Sequence, residues 1–181
     1  GGDVNITATA GAITATNDSA QSDALIKTQA NTDSSLASGG IELQADSGDI
    51  DVDALNAAGA NSSDGVGSNG GIVRLRADGA IATGSIITSG GNSTSPDGEN
   101  GGNAGTVILD SGRDGSGAES ITLNGDLTAI GGTASAANQG LGGRIEVRDA
   151  VILPADRLVN SGPTDGDIFF RDGIDSLNSA E

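Results

Sequence analysis

Gly71-Ile72-Val73-Arg74-Leu75-Arg76-Ala77 reads as one short β-strand: behind a glycine pair, apolar Val73, Leu75 and Ala77 alternate with Arg74 and Arg76, so one face is apolar and the other charged. The same glycine-led alternation recurs at Gly2-Asp3-Val4-Asn5-Ile6-Thr7-Ala8, Gly40-Ile41-Glu42-Leu43-Gln44-Ala45, Gly105-Thr106-Val107-Ile108-Leu109-Asp110-Ser111, Gly143-Arg144-Ile145-Glu146-Val147-Arg148-Asp149 and Gly166-Asp167-Ile168-Phe169-Phe170-Arg171. Six copies at intervals of roughly 23 to 38 residues are the signature of a solenoid.

After each copy a second strand follows a small turn: Ala12-Ile13-Thr14-Ala15, Asp49-Ile50-Asp51-Val52, Ala80-Ile81-Ala82, Ser120-Ile121-Thr122-Leu123 and Ala150-Val151-Ile152-Leu153. A third is clearest at Gly84-Ser85-Ile86-Ile87-Thr88-Ser89 and Gly125-Asp126-Leu127-Thr128-Ala129-Ile130, with Leu25-Ile26-Lys27 and Leu158-Val159 as looser versions. Three strands joined by tight Gly, Asp or Asn turns make a coil of about 20 to 24 residues, and coils stacked in register make a parallel β-helix. The predicted fold is therefore all-β, a right-handed parallel β-helix of about six coils. Its length is on the order of 30 Å at ~4.8 Å per coil.

Stacking the first strands puts Val4, Ile41, Val73, Val107, Ile145 and Ile168 in one inward column and Ile6, Leu43, Leu75, Leu109, Val147 and Phe170 in the next. On the outer face Glu42 falls beside Arg74 and Arg76 beside Asp110, favourable neighbours worth about 0.2 to 1 kcal/mol each. Arg148 falls beside Arg171, so either Asp149 or Asp172 compensates two like charges or the register slips there.

Composition agrees with a narrow core. The chain has 31 glycines, two phenylalanines and no Cys, Met, Trp, Tyr or His, so it cannot bury large side chains and must bury many small ones. Twenty-five acidic residues against eight basic ones give a formal charge of −17, which argues against nucleic acid as a partner. No apolar stretch approaches the ~18 residues of a membrane span. The absence of cysteine suits an exported chain.

The remaining length lies in polar stretches at residues 57–70, 90–104 and 131–142, all after the third strand. They read as insertions of variable length at one exposed corner, which leave the strand ladder untouched and offer the natural place for binding. Neither end shows a capping helix, and the chain stops just after the first strand of a sixth coil. Strand edges left open in this way recruit other chains, so residues 1–181 read as a single solenoid segment of a longer repetitive protein, partnered by neighbouring repeats or by copies of itself end to end.

Gly101-Gly102-Asn103-Ala104-Gly105-Thr106-Val107-Ile108-Leu109 and Gly125-Asp126-Leu127-Thr128-Ala129-Ile130-Gly131-Gly132 resemble the repeat region of filamentous-haemagglutinin-like giant bacterial surface adhesins. The resemblance covers nearly the whole chain. It implies a right-handed β-helix, an extracellular or cell-surface location and a role as stalk, adhesin or matrix fibre, with cell-surface or matrix glycans as partners. No match to the family's secretion domain is visible.

The densest carboxylates are Asp46, Asp49, Asp51 and Asp53. Strand alternation would send Asp49, Asp51 and Asp53 to one outward face at steps of about 7 Å, wide for one calcium ion unless a neighbouring coil adds oxygens. Calcium is thus the one metal the sequence suggests, with no cofactor required by the fold. Asp97-Gly98-Glu99-Asn100 and Asp165-Gly166-Asp167 are weaker candidates, and none follows the nonapeptide calcium-roll repeat. A polysaccharide-cleaving β-helix is disfavoured because the chain has no histidine, a single lysine (Lys27) and almost no aromatics to stack on sugars. Ice binding would need a Thr-Xaa-Thr ladder that does not recur. Asn5, Asn17, Asn61 and Asn92 stand in glycosylation sequons, the last two in corner stretches.

Overall fold

The structure, a computed structural model, describes residues 1–16, 25–33, 36–113, 119–135 and 137–176. The first coil holds β1 (Val4–Ala8), β2 (Ile13–Ala15) and β3 (Leu25–Lys27), and the second holds β4 (Ile41–Ala45), β5 (Ile50–Val52) and β6 (Ala54–Asn56). The third holds β7 (Val73–Ala77), β8 (Ile81–Thr83) and β9 (Ile86–Ile87), and the fourth β10 (Val107–Asp110), β11 (Ile121–Leu123) and β12 (Leu127–Thr128). The fifth holds β13 (Arg144–Val147), β14 (Val151–Leu153) and β15 (Val159–Asn160), and the sixth β16 (Asp167–Phe170) and β17 (Ile174–Ser176). Corresponding strands pair in parallel into three sheets of six, six and five strands, which is a parallel β-helix. Among the described residues no helix is long and apolar enough to cross a membrane.

The register of the first sheet is the one the alternation predicts, from Val4↔Ile41 through Val107↔Ile145 to Ile145↔Ile168. Both inward columns are buried in the middle coils, where Val73, Leu75, Val107, Leu109, Ile145 and Val147 are fully excluded from solvent. Two strands escape the sequence reading. Ala54–Asn56 pairs with Leu25–Lys27 and so completes the second coil. Ile174–Ser176 pairs with β14, so the sixth coil continues past its first strand, contrary to expectation.

The first four coils close on themselves through the backbone. The N–H of Gly39, Gly71, Gly105 and Gly143, one or two residues before the first strand of a coil, donates to the carbonyl of Thr28, Ala57, Thr88 and Ala129, which follow the third strand of the preceding turn. These bonds measure 3.3, 2.7, 2.7 and 2.8 Å. Thr28 and Thr88 add a hydroxyl bond to the carbonyls of Gly39 and Gly105. The closing glycines lie directly over one another: a Cβ on Gly71 would sit 2.0 Å from the Gly39 carbonyl oxygen, and one on Gly105 1.9 Å from that of Gly71.

The polar stretches are not loose decoration on this ladder, which corrects the reading of residues 57–70, 90–104 and 131–142 as independent insertions. They stack on one another. A run of hydrogen bonds zigzags between outgoing and returning limbs along the rod: Ser68 N–H to Ala60 O, Gly91 to Ser68, Gly102 to Gly91, Gly132 to Gly102 and Gly140 to Gly132, at 2.8 to 3.0 Å. Ser62, Ser93 and Ala134 bridge in parallel within the same stack. Here backbone packs on backbone, and Ser62, Ser68, Ser93 and Ser95 are buried.

Two kinds of substitution separate these forces. Leu75→Asp or Leu109→Asp brings a carboxylate into a column with no partner for it and is expected to abolish cooperative folding. Gly91→Ala would put a methyl 1.8 Å from the Ala60 carbonyl oxygen, whereas Gly173→Ala meets nothing within 4 Å. Urea unfolding followed by circular dichroism is expected to show a loss of at least about 3 kcal/mol for Gly91→Ala and less than about 1 kcal/mol for Gly173→Ala.

Candidate functional site

The corner after the first strand collects acids in the second to sixth coils. A hollow of about 510 Å³ between the second, third and fourth coils is lined by Asp46, Ser47, Asp49, Asp78 and Glu119. Three of these four acids, Asp46, Asp49 and Asp78, are engaged. The Asp49 carboxylate accepts the Ala80 N–H at 2.9 Å and so pins the start of the next coil's second strand. Asp46 accepts from Gln44 at 2.7 Å, and Arg113 lies 3.6 Å from Asp46 and 3.9 Å from Asp78.

Asp49, Asp51 and Asp53 do not share one face. Asp51 stands exposed on the second sheet between Thr14 and Ala82. At Asp53 the chain bends from β5 into β6, so the alternation ends there and the half-buried Asp53 belongs to a corner. The continuous alternation assumed from sequence is corrected by that bend. Among the described residues no group of three or more carboxylates is arranged to hold a metal ion. Asp97 and Asp165 are exposed, Asp165 with φ of 52°.

The sequon asparagines have a different employment. Asn61 Oδ1 accepts the Asn92 N–H and Asn92 Oδ1 accepts the Thr133 N–H, both at 2.8 Å. Asn69 does the same for Asn103, and Asn103 for Leu141. Each amide oxygen thus serves the equivalent position one coil further on. Asn5 is exposed in β1, and Asn17 lies outside the described residues. Lys27 is exposed at the end of β3.

The most concentrated electrostatic arrangement is one the sequence reading missed. Glu146 points to the outer side of β13, yet its side chain is only 4% exposed because three arginines close over it: Arg171 at 2.6 Å, Arg144 at 2.7 Å and Arg148 at 3.3 Å. Arg148 also reaches Asp110 at 2.9 Å, and Arg144 lies 4.9 Å over the Phe169 ring. The register therefore holds at Arg148 and Arg171. Their repulsion is relieved by Glu146 and Asp110 rather than by Asp149 or Asp172. Burial pushes the Glu146 carboxyl up, but the Arg171 hydrogen bond and the charges of Arg148 and Arg144 outweigh it and hold its pKa below the ordinary value. Burial likewise disfavours the charged form of Arg148, and Asp110 and Glu146 reverse the sign and raise it. Asp149 is raised, first by burial and then by nearby Asp110 and Asp172, against the Ser111 N–H that it accepts at 2.8 Å.

Compared with family models, with curated proteins and with solved structures, the chain gives no match.

Because the pKa of Glu146 is lowered in the folded state, its contribution to stability is complete above the unfolded glutamate value of ~4.3 and is lost as pH falls through the lower folded value. Asp149 acts in the opposite sense. Urea midpoints measured from neutral pH down through this range are expected to fall for the native chain. Glu146→Gln is expected to be about 3 kcal/mol less stable at neutral pH and to lose less on acidification, since its contribution is already gone.

Proposed function

We propose that this chain is a non-catalytic, extracellular structural segment, a length of stiff β-solenoid from a bacterial surface adhesin or filament. The observation that supports this reading is the way the first four coils are closed, and all six joined to their neighbours, through backbone groups, in the strands and in the polar stretches alike. Such a ladder couples stiffness to chain length and leaves outward side chains free to vary. The resemblance of the glycine-led repeats to adhesin stalk regions points the same way.

A second reading, end-to-end assembly of copies, is favoured by the outermost coils. Ile6, Ile168 and Ile174 occupy inward columns yet are 41, 41 and 52% exposed, so apolar rows continue to both ends of the stack. Further coils of the same chain would cover them equally well.

Single-molecule pulling between residues 1 and 181 tests the mechanical role. The expected result is a force-resistant unravelling that releases on the order of 600 Å of chain, at ~3.4 Å per residue, and that Leu75→Asp eliminates. Yielding without resistance, as an unstructured linker does, sinks the proposal. Sedimentation of the same material separates the second reading: filaments that Ile168→Lys disperses support it, and a monomer at every concentration refutes it.

A further inference from the structure

Five of the eight cationic side chains, Arg74, Arg76, Arg144, Arg148 and Arg171, project from the outer face of the first sheet, where five carboxylates, Asp3, Glu42, Asp110, Glu146 and Asp167, accompany them. On a chain of net charge −17 this is the face on which cations are not outnumbered. The arginines are unequally supplied. Arg144, Arg148 and Arg171 make ion pairs of 2.6 to 2.9 Å with Glu146 or Asp110. Arg74 and Arg76 share Glu42 alone, at 3.6 and 3.7 Å, too long for hydrogen bonds. Asp110, the register neighbour of Arg76, is taken by Arg148. The Nε atoms of Arg74 and Arg76 are buried with no hydrogen-bond partner.

An unpaired buried guanidinium nitrogen is costly, and an oxyanion that drew the side chain outward would pair Nε and one Nη together in the bidentate geometry that arginine offers a carboxylate. Both side chains are 31% exposed, so their tips have room to move. Beside Arg74 lies a hollow of about 290 Å³ lined by Asp3, Asn5, Glu42, Ile72 and Arg74 itself, with Arg76 just outside it. Ile72, 49% exposed, gives it an apolar wall, and Asp3 and Asn5 give it hydroxyl partners. An apolar platform, amide and carboxylate groups for hydroxyls and a pair of guanidiniums for one anion are the requirements of an acidic sugar.

We propose that Arg74 and Arg76, with this hollow, form a binding site for a uronate unit of an acidic polysaccharide, the carboxylate on the arginine pair and the ring against Ile72. The acidic surroundings select among anionic polymers. Repulsion from the rest of the chain rises with the partner's charge density, so one carboxylate per sugar is tolerated where a heavily sulfated chain or a nucleic acid is repelled. The site is independent of the mechanical reading, which stands or falls on the pulling experiment.

Titration of the full chain with hexagalacturonate, followed by calorimetry and by amide chemical shifts at low and moderate salt, tests the site. Binding is expected for the native chain, with shifts centred on residues 72–76 and with affinity about tenfold weaker in Arg74→Gln or Arg76→Gln. Glu42→Gln, which removes the competing internal carboxylate, is expected to tighten binding. These side chains lie on the outer face, and unchanged thermal melts would show the variants folded. A native chain that ignores hexagalacturonate, an Arg74→Gln/Arg76→Gln double variant that binds it equally well, or binding confined to dextran sulfate overturns the proposal.

Discussion

In each of the first four turns, one hydrogen bond from a glycine N–H just ahead of a first strand to a carbonyl just past the preceding third strand decides the geometry of this molecule. It draws two backbone segments together so closely that side chains are excluded at the crossing, and it sets the cross-section that the interior must fill. A triangular bore bounded by strands of two to five residues admits Val, Ile, Leu, Ala and Thr and little that is larger. The lack of large aromatics and methionine follows from that dimension, as do the glycine pairs that precede the first strands. Thr83 and Thr88, polar yet fully buried, are accommodated because each hydroxyl finds a backbone carbonyl.

Much of this was legible in the sequence, because a strand with one buried face writes its orientation into every second residue. The inward columns and the ion-pair neighbours of the first sheet could be read in that way. Ala54–Asn56 could not, since no glycine separates it from Asp53 and the run of alternating aspartates imitates one continuous strand. Ile174–Ser176 carries a single apolar residue and gives no period to detect. The stacked polar stretches were misread for a deeper reason. Their burial comes from close approach of peptide groups, which hydropathy does not register, and glycine, serine and asparagine have the composition of exposed loops. The offset was nonetheless present: Asn61, Asn92 and Thr133 each follow a small-residue pair, as Asn69, Asn103 and Leu141 each precede the glycine that closes a coil.

Charge is distributed by the same constraint. Aspartate and asparagine at the corners are employed in the joints between coils, so part of the acidity belongs to the architecture, while the remainder faces solvent and opposes nonspecific association. Glu146 shows the converse. Its position is dictated by strand alternation, and its burial by arginines arriving from its own coil and the next, a conjunction visible only once the coils are stacked. The candidate calcium residues fall apart for a related reason: a bend of one residue at Asp53 separates side chains that alternation would have aligned.

Most of the side-chain joints also share a direction. Asp3, Asp49, Asn61, Asn69, Asn92, Asn103 and Asp126 each hold out an acceptor to an N–H in the coil that follows, about 31 to 41 residues later. A finished coil is therefore a template whose acceptors are already in place for the next segment of chain, whereas growth from the other end would have to bring its own acceptors to bare amides. Asp149 and Ser47, which accept the Ser111 and Gly11 N–H groups of the coil before, run the other way, but most of these joints pass order forward along the polypeptide, and a chain released amino-terminus first would wind itself up behind its leading turn.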